Sequence, residues 1–269
     1  MKTALILSDV HVPFEDKRKY ALALDIARIN LNNIEEIILL GDFADTFTLM
    51  SHKKDISLKK NIPNFLIQEL EKVCMRLDEL DDKFKGIKKI YIEGNHENRL
   101  YRYIRDNASE FFGLIDFPSI FNIEKRKDWS WISYSPDQFY NILDSNLFAR
   151  HEPIGPNART TAQRSMTNVI FGHIHRAEHF QTVSLSGQKF NAYSCHWLGN
   201  KNTQAMQYVK NHHQWSNGFA VINVKKKNDF TVEQIPIFDD NTCIFRGKIY
   251  GTHSSIRTKN SYQKNKGSN

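Results

Sequence analysis

Five short clusters carry the residues able to do chemistry: Asp9-x-His11, Gly41-Asp42-x-x-Asp45, Gly94-Asn95-His96-Glu97, His151, and Gly172-His173-x-His175. Each follows an apolar run. Each holds Asp, Asn or His, the oxygen and nitrogen donors that divalent first-row metals accept. Residues two apart in extended backbone point the same way, so Asp9 with His11, and His173 with His175, can reach one centre. Every cluster alone has a plainer reading. Gly-Asp after a strand is commonly a turn, paired histidines occur on surfaces, and an isolated histidine says little. Repetition argues for function: five apolar runs in succession end on ligand-type residues.

The elements that must position these clusters are legible around them. "TALILSDVH" and "EEIILLGDFAD" read as buried strands, and "KRKYALALDIARIN" between them has apolar residues at helical spacing. A strand, helix, strand unit implies parallel strands with a crossover. "IKKIYIEGNHE" supplies a third strand and "NRLYRYIRDNASEFF" a helix. From Thr46 to Lys85 the pattern is helical, with Phe65, Leu70 and Met75 read as a core stripe. After Pro118 short aromatic and β-branched runs alternate with turns, interrupted by one helix at "ARTTAQRSM". The lysine run 225–227 reads as a turn between two strands. The carboxyl edge of an open α/β sheet is where binding loops converge. The fold class expected is α/β: two mixed β-sheets packed as a sandwich and flanked by helices. Residues 1–251 read as one domain with a helical insertion at about 46–85, and 252–269 as a basic, flexible tail.

The 269 residues suffice for a substantial core, and 40% hydrophobic with 25% charged residues is the composition of a globular protein. No apolar run approaches the roughly 18 residues of a membrane span, and the N-terminus lacks a signal-peptide cleavage pattern. Three scattered cysteines suggest neither a disulfide framework nor a Cys-only zinc site. A cytoplasmic protein, of a bacterium or of a phage host, is expected. The formal net charge of +7 suits a phosphate-rich partner; a lysine-rich surface of no special purpose fits it equally well.

In their order D-x-H, G-D-x-x-D, G-N-H-E, H and G-H-x-H, spanning residues 9 to 175, the clusters resemble the calcineurin-like metallophosphoesterases. The stretch "HWLGN…AMQYVKNHHQWSNGFAVINV" is also similar to phage and prophage members. The resemblance implies two divalent cations, with manganese expected and iron, zinc or nickel suited to the same donors. Asp9, His11 and His175 would hold one cation and Asn95, His151 and His173 the other, with Asp42 bridging. His96 would be the proton donor beside Asn95, and Asp45 would orient a ligand histidine. Two such cations fit in-line displacement at phosphorus, lowering the pKa of a bridging water. One departure is Glu152, where the family places glycine after the third-segment histidine; a bulkier residue there makes His151 the least secure ligand.

Outside the motifs, Arg99, Arg102 and Arg105 are spaced to share a helix face. They suit a phosphate backbone, or else a solvated face balanced by Glu93 and Glu97. Cys195 and His196 read as a core cysteine and a packed histidine. The leading expectation is a phosphodiesterase acting on a phosphoester, with DNA or RNA favoured. A phosphomonoesterase acting on phosphoprotein or a nucleotide is the second reading. A scaffold that kept the fold and lost catalysis is the third, and the complete set of ligand-type residues argues against it.

Overall fold

The computed structural model describes residues 1–31, 33–50, 62–206 and 212–251. The strands β1 (Lys2–Leu7), β2 (Ile34–Leu40) and β3 (Lys88–Ile92) are buried nearly throughout. Successive side chains of a strand point to opposite faces, so each of these strands feeds two cores. Leu5, Leu7, Ile37, Leu39 and Tyr91 enter one apolar cluster, while Ala4, Ile6, Ile38, Leu40 and Ile90 enter another. Burial on both faces explains why these segments read as continuous apolar runs.

β1, β2, β3 and β4 (Trp129–Ile132) are parallel neighbours. β10 (Gly218–Lys226) joins β1 antiparallel, and β11 (Asp229–Pro236) closes the sheet, giving the order β11-β10-β1-β2-β3-β4. The C-terminal strands are thus hydrogen-bonded into the sheet that the first motif starts. A second sheet has the order β5-β6-β7-β9-β8, from β5 (Tyr140–Asn141), β6 (Leu147–Arg150), β7 (Asn168–Phe171), β8 (Glu178–Val183) and β9 (Lys189–Ser194). β6, β7 and β9 run parallel. Ile38 and Ile90 of the first sheet meet Leu147 and Ile170 of the second in one cluster, the inner layer of a sandwich.

Helices cover the outer faces. α1 (Lys17–Asn30) starts at Asp16, whose carboxylate accepts from the Arg18 and Lys19 N–H groups. It buries Tyr20, Ala23, Leu24 and Ala27 on the first sheet. α2 (Ile62–Lys83) lies on the same face through Val73, Leu77 and Leu80, and Phe84 follows it. The core stripe expected through Phe65 and Met75 is corrected here: both are exposed, Met75 at 67%. Leu70 packs at the edge of the true stripe, and the phase set by 73, 77, 80 and 84 turns 65 and 75 to the far side. α3 (Asn98–Asn107) buries Leu100 and Ile104. It ends sooner than the expected helix, giving way to a 3-10 turn at Ser109–Phe111. After the short α4 (Phe117–Ile120), α5 (Ala158–Ser165) sets Ala158 and Ala162 against Val169 and Phe171 of the second sheet.

A hairpin of β12 (Cys243–Phe245) and β13 (Lys248–Tyr250) completes the fold and was not legible beforehand. Part of the expected insertion, 51–61, and the expected tail, 252–269, lie outside the described residues. Among the described residues no helix is long and apolar enough to cross a membrane.

Candidate metal centre

All five clusters sit at the carboxyl ends of strands: Asp9 after β1, Asp42 after β2, Asn95 and His96 after β3, His151 after β6, and His173 and His175 after β7. Parallel pairing brings those ends to one edge, and the loops then zip together. The Asp9 N–H donates to Gly41 O (3.2 Å), the His11 N–H to Asp42 O (2.9 Å) and the Gly172 N–H to His151 O (2.9 Å). Five of these residues leave their strands in left-handed backbone: Asp9, His11, Asp42, His173 and His175, with φ from 49° to 69°. That conformation is uncommon outside glycine, and surrounding structure must hold it.

The side chains converge in overlapping groups: two share Asp42, and a third joins His11, Asp45 and His96. Asp9, His11, Asp42 and His175 bring ligand atoms within 4.8 Å of one another, and so do Asp42, His151 and His173. Asp42 belongs to both. In the first group His175 Nε2 lies 3.1 Å from Asp9 Oδ1 and 3.2 Å from His11 Nε2. In the second, His151 Nε2 lies 3.2 Å from Asp42 Oδ2 and 3.1 Å from Asn95 Oδ1, which is 2.8 Å from His173 Nδ1.

Hydrogen bonds behind the rings set their tautomers. His151 Nδ1–H donates to Leu40 O at 2.9 Å, and His11 Nδ1–H to Asp45 Oδ2 at 2.9 Å. Their Nε2 atoms therefore face the cluster, as in ligand histidines. At His151 Nε2 two acceptor oxygens, Asp42 Oδ2 and Asn95 Oδ1, lie within hydrogen-bond distance, an arrangement that favours a positive charge there, a proton or a metal cation. The electrostatics agree. Burial by itself would lower the pKa of His151, yet the Asp42 carboxylate draws it up to about 10. Burial would raise the Asp9 carboxyl, and His175 overrides this to hold it at about 2. The donor set fits divalent metal.

Gly41 and Gly94 make the packing possible. Gly41 is left-handed, and a Cβ on it would overlap the His151 ring; a Cβ on Gly94 would overlap Asp42. Glu97, fully buried, ties the loops from below. Its carboxylate accepts from the N–H groups of Asp42 (3.1 Å), Ala44 (2.8 Å) and Gly94 (2.9 Å) and from Tyr91 Oη (2.8 Å).

The calcineurin-like phosphoesterase family model matches residues 2–177. The chain belongs to the calcineurin-like phosphoesterase family. Among solved structures, the Pseudomonas putida nuclease MPE is 16% identical, with 81% of this chain and 83% of that one covered at a TM-score of 0.33. The hypothetical protein PH1004 from Pyrococcus horikoshii OT3 is 11% identical over 87% and 88%, at 0.44. Chaetomium thermophilum Vps29 is 10% identical over 93% and 92%, at 0.39. No curated protein matches the chain in sequence.

Within this calcineurin-like site, His96 and Asp45 pair. His96 Nδ1 lies 2.9 Å from Asp45 O and 3.5 Å from Asp45 Oδ2, so Asp45 backs His96 as well as His11. Burial would lower the pKa of His96, but Asp42 and Asp45 together raise it. The three arginines do not share a role. Arg99 turns inward, with Nη1 on Asp45 O (2.9 Å) and Nη2 at 2.7 Å from His96 Nε2. Arg102, on the rim, reaches Asn95 O (3.3 Å), while Arg105 pairs with Asp106 in solvent. Glu93 and Glu97 are buried and do not balance that face, which corrects the solvated-face alternative. With Glu152 beside it, His151 is still buried, at 2% exposed, and its ring is in the second group; burial, with the nearby Glu152 carboxylate, raises the pKa of the Tyr134 phenol. Cys195 and His196 are core residues, His196 Nδ1 lying 2.8 Å from Ser216 Oγ.

Three contributors have roles that the sequence reading did not assign. Glu97 closes its cluster directly before a helix, and two of its four partners, Asp42 and Ala44, lie some fifty residues away. Trp197 and Trp215 flank His175, with ring centroids at 4.8 Å and 4.3 Å. The sequence marked both only through the stretch that resembles phage and prophage members, without a link to His175.

Proposed function

We propose that this chain is a two-metal phosphoesterase that hydrolyses phosphodiester bonds, with nucleic acid the favoured substrate class. One observation carries the reading: the Asp42 carboxylate is common to two groups of buried ligand atoms, one with Asp9, His11 and His175 and one with His151 and His173. Asn95 adds a neutral oxygen to the second group. Two divalent cations held there would supply Lewis acidity and a water of lowered pKa. Manganese is the cation proposed; iron, zinc and nickel suit the same mixed donors.

The chain's own residues divide the remaining work. Asp45 holds His11 by its carboxylate and His96 by its carbonyl, fixing a ligand and a proton carrier relative to each other. His96 stands outside both cation groups, with Nε2 3.7 Å from Asp42 Oδ2, so it is free to serve the leaving oxygen. In the substrate complex a phosphoryl oxygen claims the Arg99 guanidinium, which leaves His96 Nε2 to carry the proton. The net charge of +7 and the rim position of Arg102 support a polyanionic substrate.

The test is a manganese-supplemented screen of a phosphomonoester, a small phosphodiester, and single- and double-stranded DNA and RNA. Diester and polynucleotide hydrolysis, abolished by chelator, is the expected result. Turnover of the monoester alone moves the substrate to a nucleotide or phosphoprotein, and inertness toward all of them returns the chain to the scaffold reading.

A further inference from the structure

The three buried ligand-type histidines His11, His151 and His175 are not supported alike. His11 has the Asp45 carboxylate behind it and His151 the Leu40 carbonyl. His175 Nδ1 is buried with no hydrogen-bond partner among the described residues. A metal-binding imidazole almost always gives its second N–H to an oxygen, which fixes the ring and raises the basicity of the ligating nitrogen. His175 has neither benefit.

Two indoles occupy the place instead. Trp197 lies parallel to the His175 ring at 4.8 Å, with 12° between the planes. Trp215 stands at 80° to it at 4.3 Å, and the indoles meet each other at 4.6 Å. The segment carrying Trp215 is laced to both neighbours: the Ser216 N–H donates to His175 O (2.9 Å) and the Trp197 N–H to Ser216 O (3.1 Å). Trp197 also meets the His11 ring edge-on at 6.1 Å, so the aromatic wall backs the histidines of one group only.

We infer that Trp197 and Trp215 are positioning residues for His175, an aromatic clamp in place of an oxygen acceptor, and that they set the affinity of the Asp9–His11–His175 position. This rests on the reading that this group holds a cation. The clamp fixes the ring through aromatic packing on two sides.

Manganese titration of the chelator-stripped full chain by calorimetry tests this in wild type, Trp215→Ala, Trp215→Phe and Trp197→Phe. Wild type shows two events. Trp215→Ala weakens one of them about 10–100-fold, the range typical of groups that orient a ligand, and leaves the other in place. Trp215→Phe restores most of the loss. Equal weakening of both events, or no change in either, overturns the proposal. A wild type that takes up no manganese overturns the metal reading itself, and the unmutated protein alone reveals that. A further measurement needs no variant. In wild-type protein labelled at histidine nitrogen and loaded with diamagnetic zinc, the Nδ1 proton of His175 resonates upfield of those of His11 and His151, which point at oxygens. A matching downfield position means an oxygen acceptor and sinks the clamp.

Discussion

The guanidinium of Arg99 lies 2.7 Å from His96 Nε2, one helical turn away on α3. This contact separates Arg99 from the other two arginines of its helix. On the proposed nucleic-acid reading, a polynucleotide would meet Arg102 on the rim before Arg99, whereas Arg105 is engaged with Asp106. Each phosphate contact contributes about 0.7–0.9 to the log–log slope of affinity against salt. We expect Arg102→Ala to flatten that slope for single-stranded DNA by roughly one contact, and Arg105→Ala to leave it unchanged. Fluorescence anisotropy across a salt series reads both slopes. Equal effects would restore the uniform arginine face.

Replacement of His96 by alanine separates proton donation from cation binding. His96 lies outside the two groups that share Asp42, so manganese content of His96→Ala should stay near wild type. Turnover of a diester with a poor leaving group should fall about 10²–10⁴-fold, the usual contribution of a general acid. An activated leaving group needs little protonation and should suffer less. Loss of bound manganese in this variant, measured by elemental analysis, would make His96 a ligand.

Glu97 supports the loops beneath the site without facing it. Its four donors include the N–H groups of Asp42 and Gly94. In Glu97→Gln, an NH₂ group meets two of those donors, and buried groups lose their partners at about 1–3 kcal/mol each. We expect urea denaturation to show a loss of at least about 2 kcal/mol. Manganese affinity should weaken alongside, because Asp42 is no longer anchored.

Glu69 gives the protein a pH dependence through the turn that follows Asp45. Its buried carboxylate accepts from the N–H groups of Phe47 (2.9 Å) and Thr48 (3.4 Å), and burial pushes its pKa up to about 7. A carboxyl whose folded pKa lies above its unfolded value of 4.5 binds its proton more tightly in the native state. Its stabilising contribution is full below about pH 4.5 and is lost as pH rises through about 7. Thermal melts of wild type and Glu69→Gln over this window should diverge, with the wild type falling relative to the variant. Parallel curves would mean that the backbone N–H groups compensate burial in full.

What was legible in the sequence was local. β1, β2 and β3 announce themselves because both faces are buried, and α1 because its apolar residues recur at helical spacing. The clusters Asp9-x-His11 and His173-x-His175 stand out because the donor residues are adjacent in the chain. What stayed hidden depends on partners far along it. Glu97 matters through Asp42 and Ala44, Arg99 through Asp45, and Trp215 through His175; no window of neighbouring residues contains those pairs. The phase of α2 was missed because Phe65 and Met75 are apolar and helix-spaced, yet the sheet beneath accepts only the stripe through Val73, Leu77 and Leu80.

The left-handed turns at Asp9, His11, Asp42, His173 and His175 carry an implication for how this protein can change. Such backbone costs about 1–3 kcal/mol per non-glycine residue. Glycine would rest there almost freely, but it would bring no carboxylate or imidazole. The chain therefore trades durability for reactivity at five places along one edge. A lineage drifting away from catalysis could recover that tension one substitution at a time, so glycines at these five positions would mark a descendant that has retired from chemistry.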